Sequence, residues 1–283
     1  MEDTGHNHMD KTTSRDEELA EQRRLAGEYV PAYDGLLVSQ KLSTELIHEE
    51  YATGDIAYQV KTSNLSKDFG FFRKIRGDGN CGFRAFYFGL LEVLIELGDE
   101  NLLKAQKTRF NEVNGLLVRS GVDSIIWEDW VEATNRLLNL LISTKHKEER
   151  LEALFTAFNN EDDMSDEHSR ELLTHLRFLI SYHIKENPEQ YKHFVPDGSI
   201  DAYCSSLETV SAEMDEVSLT AAHNMLSSAA GINIEVLYLD RSIGNSVTRH
   251  KWEPEKEKVR GVITMLFRPG HYDLAYPREN APS

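Results

Sequence analysis

Two short stretches of the chain hold residue types suited to nucleophilic catalysis. In the first, Gly77-Asp78-Gly79-Asn80-Cys81-Gly82, a cysteine follows a glycine-rich turn. Phe83, Phe86, Tyr87, Leu90, Leu91, Leu94 and Ile95 then recur at helical spacing, which predicts a helix opening at the cysteine and ending at Gly98. The positive end of such a helix favours thiolate over thiol. The glycines let the backbone turn so that N–H groups converge on one spot, as the oxyanion of a tetrahedral intermediate requires. In the second stretch, Gly270-His271-Tyr272-Asp273, the residues at i and i+2 of an expected strand share a face. There Asp273 can fix the tautomer of His271 and stabilise its imidazolium, leaving the other ring nitrogen for a thiol. Alone, H-x-D is a weak signal. Joined to a cysteine at a helix start, it makes Cys81, His271 and Asp273 a candidate nucleophile, base and orienting acid.

The first stretch has other readings. Taken literally it is G-x-G-x-x-G, with Asp99 about 20 residues on, where a dinucleotide site keeps its ribose acid. Against this, more helix follows the helix, Asp78 would set a carboxylate beside a pyrophosphate, and strand–helix alternation is missing. The loop also reads as a plain turn with a small buried cysteine. Cys204 has no local base and reads as structural. His6, His8, His48, His146, His168, His175, His183, His193, His223 and His250 show neither HExxH nor cysteine-containing metal spacing, and read as surface or core residues.

The elements that must position these groups follow from periodicity. Phe71 to Ile75 reads as a short strand ahead of the turn Gly77 to Asn80. About 110 mostly helical residues come next. One stripe is Trp127, Trp130, Val131, Thr134, Leu137, Leu138 and Leu141; another is Leu172, Leu176, Leu179, Ile180 and His183, with a helix start at Ser165. A helix ends at Gly231. Ile232, Ile234, Val236 and Tyr238 then alternate as a strand, Val259 to Phe267 forms a second, and His271 to Tyr276 a third after the turn Arg268-Pro269-Gly270. The result is an α+β fold: a small mixed or antiparallel sheet packed by a large helical region. Residues 1–30 are expected to be an acidic, disordered tail, and 31–283 one domain, with a helical N-terminal arm at 31–68 and a core at 69–278.

Composition narrows the classes. The 283 residues carry 48 acidic and 31 basic side chains, a net charge of −17, which disfavours nucleic-acid binding and suits a basic protein partner. No apolar run is long enough to span a membrane, and no secretory signal is visible. Two cysteines allow neither a disulfide framework nor a multi-cysteine metal site, so no cofactor or metal is expected. The expected compartment is reducing: the cytoplasm, with the nucleus as a second location.

Arg76-Gly77-Asp78-Gly79-Asn80-Cys81 followed by Phe83-Arg84-Ala85-Phe86 resembles the nucleophile box of the ovarian-tumour (OTU) cysteine peptidases. Arg268-Pro269-Gly270-His271-Tyr272-Asp273, ending at Tyr276, resembles the histidine box of one subgroup, the otubains. Likeness runs from about residue 35 to 278, through Leu37-Val38-Ser39, Phe194 to Cys204 and Tyr238-Leu239-Asp240-Arg241. The resemblance implies an OTU-type fold and a deubiquitinase acting on isopeptide bonds of polyubiquitin, with a preference for chains joined through the lysine at ubiquitin position forty-eight. It assigns Cys81 as nucleophile, His271 as base and acid, and Asp273 as the orienting residue. Asp78 falls where a backbone N–H serves the oxyanion with that of Cys81, within the loop Asp78, Gly79 and Asn80. Its implied partners are ubiquitin, polyubiquitin and, for some members, ubiquitin-charged conjugating enzymes, which they block without catalysis. That inhibitory role, or a different ubiquitin-like modifier as substrate, is the alternative function. The arm is implied to help hold the ubiquitin whose lysine is released, and no residue from 35 to 58 resembles a catalytic part. Three positions depart from the family: Gly82 stands where a bulky apolar or aromatic residue is usual, and Glu216 and Ser218 replace histidines.

Overall fold

The computed structural model describes residues 33–53, 55–159, 165–209, 212–253 and 259–278; the tail expected at 1–30 lies outside them. Six strands form one mixed sheet: β1 (Leu42–Ser43), β2 (Phe69–Arg73), β3 (Ile232–Tyr238), β4 (Thr248–Trp252), β5 (Gly261–Arg268) and β6 (His271–Pro277). Their spatial order is β1-β2-β6-β5-β3-β4. β3 and β5 run parallel and every other neighbouring pair is antiparallel.

Both faces of this sheet are covered. On one side lies α3 (Cys81–Glu96), backed by α4 (Glu100–Val113), α6 (Ser124–Ser143), α7 (Lys147–Asn159) and α8 (Ser165–Glu186). On the other lie α1 (Glu45–Glu50) and α2 (Ile56–Asp68), whose Ile47, Tyr58 and Leu65 pack with Phe72, Leu237, Leu266 and Ala275. This explains β3. Its odd-looking run Ile-Asn-Ile-Glu-Val-Leu-Tyr was expected to alternate, yet six of its seven residues are buried, because Val236 faces α3 while Leu237 faces the arm. The arm is therefore a third layer: β1 pairs with β2, and Val38 bridges to Ile75.

α3 is mostly apolar and is buried on nearly every side, its Arg84 and Glu92 included. Gly89 brings it close to the sheet, since a Cβ there would stand 2.7 Å from Ile263 Cγ2 and 3.1 Å from Leu274 Cδ2. The helical stripes read from the sequence lie where expected: Leu137, Leu138, Leu141, Leu172, Leu176, Leu179 and Ile180 are all core residues. α5 (Gly115–Arg119), α9 (Pro188–Tyr191), α10 (Ile200–Leu207) and α11 (Glu216–Ala222) complete the helices. A wide turn at His223–Ser227 and a tight one at Ser228–Ala230 lead to Gly231, which takes φ 70°. β4 escaped the sequence reading because Thr-Arg-His-Lys-Trp has no apolar alternation; it is an exposed, charged edge strand.

Neighbouring arm residues should differ sharply on truncation. Ile47 is fully buried and Leu46 is 38 % exposed. Ile47→Ala should lower unfolding stability in urea by about 2–4 kcal/mol. Leu46→Ala should stay within about 0.5 kcal/mol of the parent.

Candidate active site

Cys81 is the first residue of α3 and is only 5 % exposed. Asn80 is the N-cap, but its side chain makes no capping bond, because its Oδ1 accepts from Arg177 Nη2 at 2.8 Å and Nε at 3.2 Å. The first-turn N–H groups of α3 are thus left open at the thiol, where a capping side chain would otherwise sit. Arg177, on α8, also donates to the carbonyls of Gly79, Leu207 and Ala212 and lies 3.8 Å from the Phe83 ring centroid. Burial pushes its pKa down to about 10, although Asp78 and Cys81 act in the opposite direction.

A second arginine fixes the other side of the loop. Arg84 Nη1 and Nη2 meet Asp78 Oδ1 and Oδ2 at 2.9 and 2.6 Å, and Nη1 also donates to Arg76 O at 3.2 Å. Burial alone would raise the Asp78 pKa; this fork and the Asn80 N–H reverse the effect and lower it. The Asp78 N–H donates to Arg76 O at 3.1 Å. Among the described residues no hydrogen bond is seen from the N–H of Gly79 or Cys81, which leaves these two donors available.

His271 opens β6 after Gly270, which turns with φ 75°. Its Nε2 and Asp273 Oδ1 are 2.9 Å apart, and Cys81 lies close enough to interact with the ring. With Nε2 bonded to the carboxylate, Nδ1 is left for the thiol; Nδ1 also lies 3.6 Å from where a Cβ on Gly77 would be. Burial by itself lowers the His271 pKa; the Asp273 carboxylate and its hydrogen bond, helped by the nearby Cys81, outweigh it and raise the pKa. Asp273 is fully buried. Burial would raise its pKa, but Arg268 and His271 hold it well below the usual carboxylate range. Its Oδ1 also accepts the Ile75 N–H at 2.9 Å, and its Oδ2 accepts from Arg268 Nη2.

The structure thus brings Cys81, His271 and Asp273 together, with His271 hydrogen-bonded to Asp273 and Asp78, Gly79 and Asn80 as the adjoining loop. Sequence reasoning gave no role to Arg84, Arg177 or Arg268. A signal existed for Arg177: it interrupts the apolar face formed by Leu172, Leu173, Leu176, Leu179 and Ile180. Cys204 is buried, its pKa raised by burial, and it stays apart from this group. His175, bonded to Thr134 and Asn114, is held neutral by burial, with a pKa near 3. Among the described residues no set of three His, Cys, Asp or Glu is arranged to hold a metal.

Beside the thiol runs a groove of about 740 Å³ lined by Tyr203, Met214, Asp215, Glu216, Tyr238 and Tyr272, among others. Asp215 caps α11 in a reciprocal bond with Ser218, and Glu216 accepts from the Tyr238 hydroxyl at 3.1 Å. Two of the departing positions therefore have local structural partners. At the third, Gly82, a Cβ would lie 2.5 Å from Met214 Cβ and 3.1 Å from Tyr272 Cδ2. Met214 fills the volume that a larger residue at 82 would claim.

A cysteine at the head of a buried helix, an imidazole near it and a buried carboxylate behind, all on an α+β frame, are the arrangement of a cysteine peptidase. The chain belongs to the otubain family: the family model of peptidase C65, otubain, matches residues 32–277. It is 31% identical over 260 residues to the ubiquitin thioesterase OTUB1 of Homo sapiens, covering 91% of this chain and 89% of that protein. It is 30% identical over 227 residues to a ubiquitin thioesterase otubain-like protein of Caenorhabditis elegans, covering 79% of this chain and 75% of the other. A solved structure described as h/ceOTUB1–ubiquitin aldehyde–UBCH5B~Ub superposes with a TM-score of 0.74 at 26% identity, over 95% of this chain and all of that one.

The close fit at Gly82 is testable by exchange. Gly82→Phe should lower the melting temperature and slow labelling of Cys81 by a thiol reagent, because Met214 and Tyr272 must move. Adding Met214→Gly should recover most of both losses, a coupling of about 1–3 kcal/mol in a double-mutant cycle on stability.

Proposed function

We propose that this protein is a thiol-dependent ubiquitin isopeptidase working through Cys81, His271 and Asp273. The observation that carries the reading is His271, hydrogen-bonded to a buried Asp273, placed close to Cys81 at the uncapped start of α3. Membership of a family whose relatives are named ubiquitin thioesterases supports ubiquitin as the substrate.

The Cys81 sulfur attacks the carbonyl carbon of the isopeptide bond, forming a C–S bond while the carbonyl electrons move onto oxygen. The N–H groups of Cys81 and Gly79 stabilise that oxyanion. Use of the Asp78 N–H, which the resemblance implies, requires it to turn away from Arg76 O. As the intermediate collapses, the C–N bond breaks and the His271 imidazolium protonates the departing lysine amine. Neutral His271 then takes a proton from water, whose oxygen attacks the thioester, and the thiol leaves with the carboxylate product formed. Asp273 holds the ring and favours its protonated form throughout. The groove beside Met214 and Tyr272 accepts the extended chain that leads to the scissile carbonyl, and its Asp215 and Glu216 suit basic residues there.

A second reading has its own support. Solved structures similar to this fold include complexes described with UBCH5B~Ub and with UBC13~Ub. Binding of ubiquitin-charged conjugating enzymes is therefore a further proposed activity, compatible with the first.

A ubiquitin carrying a C-terminal thiol-reactive group should label the parent protein and Cys204→Ala, but not Cys81→Ala; labelling that follows Cys204 reverses the assignment. Asp273→Asn should keep the fold and lose on the order of 10²-fold or more in kcat, since the analogous change in a serine triad costs about 10⁴. Because the His271 pKa is raised, its proton is kept at neutral pH, and kcat/KM should fall only as pH climbs through that raised value. In Asp273→Asn the alkaline limb should move to lower pH.

A further inference from the structure

The arm reaches the triad through a line of alternating charge. Behind His271 stands Asp273, and behind Asp273 stands Arg268, which is 2 % exposed and gives Nη2 to Asp273 Oδ2. The other terminal nitrogen, Nη1, donates to Glu50 Oε2 at 2.7 Å. Glu50 Oε1 in turn lies 2.5 Å from Lys74 Nζ. Glu50 is the last residue of α1, and Lys74 directly follows β2, so three separate parts of the chain meet at the back of the site.

We propose that Glu50 is a positioning residue for the triad: by holding and neutralising Arg268, it leaves Asp273 free to act on His271. The physical need is specific. Arg268 and His271 compete for one buried carboxylate. An uncompensated guanidinium would draw Asp273 towards itself and cancel much of its field at the imidazole. With Glu50 on its far side, the guanidinium is balanced from both ends and its orientation is fixed by two separate carboxylates. The resulting order is Lys74, Glu50, Arg268, Asp273, His271, with the sign alternating at every step when His271 is protonated.

Other charged or titratable groups face this line. The Tyr51 phenol, at the end of α1, interacts with Arg268, Glu50 and Asp273. From the segment before β1, Tyr33 interacts with Asp273 and Arg76, and its ring lies 5.8 Å from Lys74 Nζ. Cys81, on α3, faces His271 from the substrate side. Among these, Glu50 is the carboxylate bonded to Arg268 from outside the two catalytic strands. As a positioning residue, Glu50 is compatible with the reading that no residue from 35 to 58 resembles a catalytic part.

The proposal rests on the triad reading, and the test separates the two. Glu50→Gln and Glu50→Asp would be compared with the parent on a fluorogenic ubiquitin substrate across a neutral-to-alkaline pH series. Labelling by a ubiquitin C-terminal electrophile and melting temperature would be measured in parallel. Glu50→Gln keeps the shape and removes the charge. It should still be labelled at Cys81, hold KM near the parent value, lose roughly tenfold in kcat, and show an alkaline limb lower by roughly half a pH unit or more. Glu50→Asp keeps the charge with a shorter reach, and should return the limb to the parent position even where kcat recovers only in part. An unshifted limb in folded Glu50→Gln, or the same shift in both variants, overturns the electrostatic role and leaves Glu50 as packing. Should Glu50→Gln fail to fold, a shifted limb in folded Glu50→Asp also counts against the proposal, and a parental limb with reduced kcat supports it. Failure of the triad reading is seen elsewhere: Cys81→Ala would then keep activity regardless of Glu50.

Discussion

A fully buried carboxylate is the constraint around which this molecule is organised. Removing an ionised Asp273 from water is costly unless every lone pair finds a donor. The donors come from three directions: the Ile75 N–H after β2, the His271 ring on β6 and the Arg268 guanidinium on β5. This satisfaction requires β6 to lie between β2 and β5, with the register that sets Arg268 opposite His271. The order of the central strands and the chemistry of the site are one requirement seen from two sides.

The Cys81 end of the site is built by withholding a bond. An ordinary N-cap would let Asn80 close over the first turn of α3. Arg177 takes the Asn80 side chain instead, while Arg84 takes Asp78, so the loop is rigid and yet its helix end stays open. Both arginines are almost wholly buried. Their forked geometry lets each hold two or more loop groups at once, which a lysine cannot do.

The local parts of this design were legible. Cys81 before an apolar helix, His271 and Asp273 two residues apart on a strand, and Gly270 in the turn all depend on neighbours in sequence. The helical stripes and four of the strands were readable for the same reason. What escaped depends on distant partners. Arg268 and Glu50 are separated by 218 positions, and no periodicity marks one as waiting for the other. β4 has no apolar face to announce it, and the parallel pairing of β3 with β5 follows from closure of the whole sheet. Gly82 was visible as a departure, but its partner Met214 was not, because steric fit is a property of the folded molecule.

The position of β6 has a consequence for how the protein is made. It is the last described strand to leave the ribosome, yet it belongs in the middle of the sheet, flanked by β2 and β5. Until it is inserted, β1 and β2 have no hydrogen-bonded link to β5, β3 and β4, and α3 has nothing to cover one strip of its surface. A nascent chain with Cys81 already at the head of its helix therefore lacks His271, Asp273 and a closed sheet. Insertion of β6 zips the two halves together and brings Cys81, His271 and Asp273 together in the same event, so the assembled site is withheld from any intermediate without that strand.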